Sequence, residues 1–137
     1  MRRDASLLIL YNKDLKILLQ HRTSDAKIMP DYWAFFGGGI EKNETPLAAL
    51  YREIYEEINY IPKSPKLILK RNFKEDSLEG TLYIYIDFFN ADKDIVLREG
   101  KGFGWFNKDE ISKLKMKERD INIVNFVFKY LEKNAGF

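Results

Sequence analysis

The chain has 137 residues, 45% of them hydrophobic and 32% charged, a balance that excludes a disordered or collagen-like protein and predicts one folded domain, residues 1–137. Lys and Arg number 23 against 21 Asp and Glu, a net charge of +2 that marks neither a nucleic-acid nor a membrane partner. With no cysteine and the single histidine His21, thiol nucleophiles, Cys-ligated zinc and two-histidine metal sites are excluded. Any chemistry must therefore run on carboxylates, hydroxyls, lysines and arginines, or on a hard metal held by oxygen. No apolar run reaches the ~20 residues of a membrane span, and no signal-peptide core precedes a cleavage site, so a cytoplasmic protein is expected.

In chain order, Ala5–Tyr11 and Lys16–Arg22 are aliphatic strands joined through a polar turn at Asn12-Lys13-Asp14. A polar stretch, Thr23–Asp31, leads to the aromatic run Tyr32–Phe36 and a predicted glycine loop, Gly37–Gly39. Residues Pro46–Ile58 predict a helix, with Leu47, Leu50, Tyr51, Ile54 and Ile58 on one apolar stripe. Thr45 is its expected N-cap, Pro46 its first residue and Asn59 a left-handed C-cap. Leu67–Phe73 and Thr81–Phe89 predict strands, the second apolar on both faces as far as Asp87 and so expected to be central. Gly100–Phe106 reads as a loop entering a short strand, Asp109–Leu114 as a short helix and Asp120–Lys133 as a last helix. Strands interleaved with helices predict a mixed α/β architecture of the α+β kind, a sheet between helices.

The helix at Pro46–Ile58 is electrostatically odd. Glu53 is spaced i,i+3 from Glu56 and i,i+4 from Glu57, which costs ~0.2–0.5 kcal/mol per pair. These glutamates occupy the C-terminal half, where the macrodipole also disfavours anions, and Arg52 offsets only part of the cost. A bound divalent cation would relieve it, because carboxylate oxygens are what Mg²⁺ or Mn²⁺ prefers. A solvated acidic face has the same pattern, but the upstream glycines and Glu44 point instead to backbone passing close to phosphate.

Gly38, Glu44, Arg52-Glu53-Ile54 and Glu56-Glu57, at those spacings, resemble the Nudix box. Two positions depart from it: Asn59 stands for a glycine and Tyr60 for an aliphatic residue. Trp33–Gly38 is similar to the family's strand into the box, with Phe36 where proline is usual, and Glu99 lies six residues before Trp105, like a further metal-binding glutamate of MutT-type members. The resemblance implies the Nudix α-β-α sandwich and hydrolysis of a nucleoside diphosphate linked to another moiety. Glu53, Glu56, Glu57 and Glu99 are then the expected ligands of Mg²⁺ or Mn²⁺. Arg52 orients the cluster, Glu44 assists it, and Glu53 or Glu99 is the general base. Gly38 and Gly39 bring backbone to the phosphates. Arg22 is similar to a phosphate-binding arginine of MutT-type relatives, with a surface charge as the other reading, and Trp33, Phe35 or Phe103 could stack on a base or pack the core.

The region Lys74–Thr81 has neither the proline typical of ADP-ribose hydrolases nor the tyrosine of dinucleoside-polyphosphate hydrolases. This favours a MutT-type nucleoside triphosphate pyrophosphohydrolase, an oxidised purine nucleotide such as 8-oxo-dGTP being one candidate substrate. The alternatives are an ADP-ribose or nucleotide-sugar diphosphatase, or a non-catalytic Nudix-fold regulator. The expected partner is a small nucleotide, with no membrane and no specific nucleic acid, the chain acting as monomer or homodimer.

Overall fold

The computed structural model describes residues 1–134. In chain order the elements are β1 (Ala5–Tyr11), β2 (Ile17–His21), β3 (Trp33–Ala34), β4 (Phe36–Gly39), α1 (Pro46–Ile58), β5 (Lys66–Glu75), β6 (Leu78–Phe88), β7 (Gly102–Phe106), α2 (Lys108–Ile111) and α3 (Glu118–Asn134). The chain forms two compact units, one of residues 1–11 and 36–99, the other of residues 12–35 and 100 onward.

In the first unit β1 runs parallel to β6 from Ala5↔Leu82 to Tyr11↔Phe88 and antiparallel to β4 from Ala5↔Gly39 to Leu8↔Phe36. β5 returns antiparallel on β6 through a hairpin whose turn residue Asp76 is left-handed, φ 52°. Strand β6 is thus central here, as its apolar run predicts, and Leu82, Ile84 and Ile86 are buried. Its one buried carboxylate, Asp87, is satisfied by the backbone N–H groups of Lys63 and Ser64, at 2.8 and 3.1 Å.

Helix α1 has the predicted ends. Thr45 Oγ1 accepts the Ala48 N–H at 3.1 Å, Pro46 opens the first turn, and Asn59 ends the helix at φ 53°, ψ 38°. Its buried face is rotated from the expected stripe. Ala49, Leu50, Ile54 and Ile58 are fully buried, whereas Leu47 is 42% exposed. The buried arc takes in Glu57, at 5% exposure, so the three glutamates do not share one solvated face.

The glycines Gly37–Gly39 are not a loop but part of strand β4. A glycine is required at 37 because φ is +137° and a side chain there would overlap the Ser6 carbonyl of β1. Hydrophobic patterning cannot reveal such a strand, since three of its four residues carry no side chain.

In the second unit β2 pairs antiparallel with β7, Ile17↔Phe106 to His21↔Gly102, and with β3 at Gln20↔Ala34 and His21↔Trp33. The turn before β2 is built on Asn12, whose Oδ1 accepts the N–H groups of Asp14 and Lys16, both at 3.0 Å. Helix α2 opens with a reciprocal capping box between Asn107 and Glu110. Helix α3 buries Ile123, Val124, Val127, Phe128 and Leu131, while Ile121 is 38% exposed.

Replacing Gly37 by alanine is expected to destabilise the protein by more than ~1 kcal/mol, because both backbone conformation and space oppose it. Gly102→Ala, where a side chain meets nothing within 4 Å, should stay within ~0.5 kcal/mol. Urea denaturation of the two variants measures the contrast.

Candidate active site

Each of the three glycines of β4 makes room for, or binds, a charged group. The Gly37 N–H donates to Glu57 Oε1 at 2.8 Å. A side chain on Gly38 would stand 2.6 Å from the Glu53 carboxylate, so that carboxylate rests on bare backbone. The space beside Gly39 is filled by the Arg3 guanidinium, a neighbour that nothing in the spacing of the sequence announces. The Gly39 carbonyl, in turn, accepts Arg52 Nη2 at 3.0 Å.

Arg52 is the hub of the cluster. Its Nε and Nη2 grip Glu44 in a bidentate pair at 2.7 and 2.9 Å, and Nη1 donates to Glu53 Oε1 at 2.9 Å. The same Nη1 lies 3.6 Å from Glu56 and 3.7 Å from Glu41, a carboxylate that box spacing does not single out. The Arg52 pairing, helped by the Glu41 N–H on Glu44 Oε1, holds the Glu44 carboxyl down at about 2. Glu44 and Glu53 reciprocally push the Arg52 guanidinium above its ordinary range, so it is charged at every working pH. Glu56 is the most exposed of the five box charges, its side chain at 55%.

These donors are carboxylate oxygens on one helix beside side-chain-free backbone, a chemistry that fits a hard divalent cation. Glu53, Glu56 and Glu57 are the residues that could hold such a cation. Among the described residues no three such side chains stand together as a metal-holding group, with Glu53 turned to Arg52 and Glu57 to the Gly37 amide.

Glu99 is exposed at the end of the segment that follows β6. That segment is fastened to the C-terminal end of α1, where the Val96 and Arg98 N–H groups donate to the carbonyls of Ile58 and Glu57 at 3.0 and 2.8 Å. Glu99 is therefore one residue from a bond to Glu57, a proximity in space that is hidden in a separation of 42 positions along the chain.

Arg22, Trp33 and Phe35 belong to the second unit. Arg22 Nε donates to the Ile28 carbonyl at 2.7 Å and its backbone N–H to Tyr32, so it closes the loop between β2 and β3. Trp33 stacks on His21 at 4.5 Å and 5° and meets Phe106 edge-on at 5.0 Å. Phe35 is 4% exposed and offers no stacking face, because it packs in the core. Phe103, by contrast, is 39% exposed. His21 Nε2 lies 3.1 Å from the Asp31 carbonyl. The ammonium groups of Lys115 and Lys117 lie 4.4 and 5.2 Å from the centre of the Tyr32 ring.

The low Glu44 value has a pH signature. Ionised Glu44 is favoured by folding, so its contribution is complete above its ordinary value of 4.5 and is lost as pH falls toward about 2. The gap in urea midpoint between wild type and Glu44→Gln should be constant above pH ~4.5 and shrink steadily below it. A pH-independent gap would contradict the pairing.

Three comparisons bear on the family. A nucleoside triphosphatase NudI of Escherichia fergusonii is 29% identical over 139 aligned positions, covering 90% of this chain and 92% of that protein. An RNA pyrophosphohydrolase of Halorhodospira halophila is 44% identical over 55 residues, a stretch that covers 40% of this chain and only 28% of that relative. Among solved structures, a MutT protein from Methanosarcina mazei Go1 superposes with a TM-score of 0.81 at 18% identity, over 97% of this chain and 96% of that one, a likeness of fold. The NUDIX domain model matches residues 1–126, both units included, and the chain therefore belongs to the Nudix hydrolase family.

Proposed function

We propose that the chain is a nucleoside triphosphate pyrophosphohydrolase, in which water cleaves the α–β phosphoric anhydride to give a nucleoside monophosphate and pyrophosphate. The observation that carries the reading is the Arg52-centred carboxylate cluster seated on the glycines of β4. The full-length likeness to a nucleoside triphosphatase supports the substrate class, and an oxidised purine nucleotide remains a candidate within it. We also take residues 1–137 as one functional domain, a reading supported by the span of the family match across both units. Among the described residues no helix is long and apolar enough to cross a membrane.

A divalent cation, Mg²⁺ or Mn²⁺, supplies charge neutralisation on the phosphoryl oxygens and acidifies a water molecule when bound. Glu53, Glu56 and Glu57 would hold it, and Glu99 would join them when substrate is present. Arg52 keeps Glu53 and Glu56 close to one another by cancelling part of their repulsion, while Glu44 locks the guanidinium in place. Gly38 and Gly39, whose missing side chains make room for the Glu53 carboxylate and the Arg3 guanidinium, bring the β4 backbone to the phosphate site. Of the two candidate bases, Glu53 already accepts a hydrogen bond from Arg52, whereas Glu99 is exposed on its segment, which favours Glu99 as the group that takes the proton from water.

A screen of nucleoside triphosphates and nucleotide diphosphate derivatives with Mg²⁺ or Mn²⁺ tests the reading. Activity should vanish with EDTA, and Glu56→Gln should lower the rate at least ~10²-fold because it removes a ligand charge while keeping the shape. Full activity of that variant in EDTA would overturn the mechanism.

Metal should also stabilise the folded protein, by ~2.7 kcal/mol at a hundredfold excess over Kd, since the unfolded chain has no assembled carboxylate face. Thermal unfolding with and without Mg²⁺ reads this directly. No shift at independently measured saturation would count against the proposed ligands.

A further inference from the structure

The segment 89–101 connects β6 to β7 without regular structure of its own, and exposed segments of that kind open easily unless side chains hold them. Here two consecutive side chains just past α1 hold it. The Tyr60 hydroxyl accepts the Asn90 N–H at 2.9 Å, and the Tyr60 ring stacks on Phe89 at 5.7 Å. Asn59 Oδ1 accepts Arg98 Nη2 at 2.6 Å, and the Arg98 guanidinium lies 5.2 Å from the centre of the Tyr55 ring. Asn59 and Tyr60 are the two positions at which the box departs from its usual glycine and aliphatic residue. Neither a glycine nor an aliphatic side chain could make these bonds.

Helix α1 has no basic residue in its last turn, although that turn carries Glu56 and Glu57. Arg98 supplies the missing cation from outside the helix, where the macrodipole favours it. Its own backbone N–H meets the Glu57 carbonyl, so side chain and main chain of one residue fasten the segment to the helix end. The next residue is Glu99.

We propose that Asn59, with Arg98 and Tyr55 as its partners and Tyr60 at the other end of the segment, is a positioning residue that holds Glu99 beside the carboxylate end of α1. The inference rests on the role given to Glu99 above. It adds a device particular to this chain, in which the helix terminator also anchors the neighbouring segment. Asn59 can do both because its left-handed backbone ends the helix while its side chain stays free to reach Arg98.

The decisive variant is Asn59→Gly, since glycine adopts the left-handed conformation at least as well and the fold should survive. Tyr60→Phe removes only the hydroxyl at the other end. In the metal-free protein, hydrogen exchange of the Val96 and Arg98 amides should speed up at least ~tenfold in Asn59→Gly, with the α1 core amides unchanged. In steady-state kinetics on the best triphosphate, Asn59→Gly should lower kcat ~tenfold with little change in KM, and add nothing in a Glu99→Gln background. Unchanged exchange, or effects of Asn59→Gly and Glu99→Gln that simply add, would overturn the anchor while leaving the hydrolase reading intact. Wild-type kcat in Glu99→Gln would remove the role of Glu99 itself, and the positioning proposal with it.

Discussion

Everything at the candidate site depends on one guanidinium. Arg52 is the only cation on α1, yet Glu41, Glu44, Glu53 and Glu56 all approach it. A planar group with five donors can serve several carboxylates at once, which a lysine ammonium could not do with the same geometry. The bidentate grip on Glu44 fixes the plane, and the bond from Nη2 to the Gly39 carbonyl ties that plane to β4. Helix, turn and strand are thereby joined at a single point. The cost of crowding carboxylates near a helix C-terminus is offset by this charge and by Arg98, bound at that same terminus.

The second constraint is steric. Glu53 lies where a side chain of residue 38 would be, and a side chain at 37 would strike the neighbouring strand. The glycines therefore do not provide flexibility. They let a paired strand carry charged groups against its backbone while keeping register with β1. A strand is a better platform for this than a loop, because its amides and carbonyls point in directions set by the ladder. The Gly37 amide on Glu57 and the Gly39 carbonyl on Arg52 both use such directions.

In the second unit the same logic operates with aromatic groups. The stacked His21 and Trp33 rings are adjacent partners in the β2–β3 pairing, and Asp31 is held by His21, by its backbone bond to Thr23 and by an ion pair with Lys101. Met29 and Asp31 both have positive φ, 50° and 64°, so this loop keeps a conformation that its residues would not choose alone. Arg22 contributes by closing the loop on Ile28.

The helix α1, its two caps and the charged positions of the box were legible in the sequence, because capping, apolar periodicity and the i,i+3 and i,i+4 spacings are local properties of consecutive residues. So were the central strand β6 and the turn at Asn12, each written in a run of a few side chains. What the sequence could not contain was the orientation of the helix on the sheet. The stripe from Leu47 to Ile58 and the arc actually buried differ by a modest rotation, and that rotation puts Glu57 inside and Leu47 outside. Nor could spacing along the chain bring Arg3 to Gly39, Arg98 to Asn59 or Phe35 into the core. These are meetings of segments far apart in sequence, decided by how strands pair and by which faces find apolar cover. Amino-acid types thus determined which chemistry was available, and tertiary packing decided which carboxylates stand against bare backbone, which are neutralised by arginine and which face solvent.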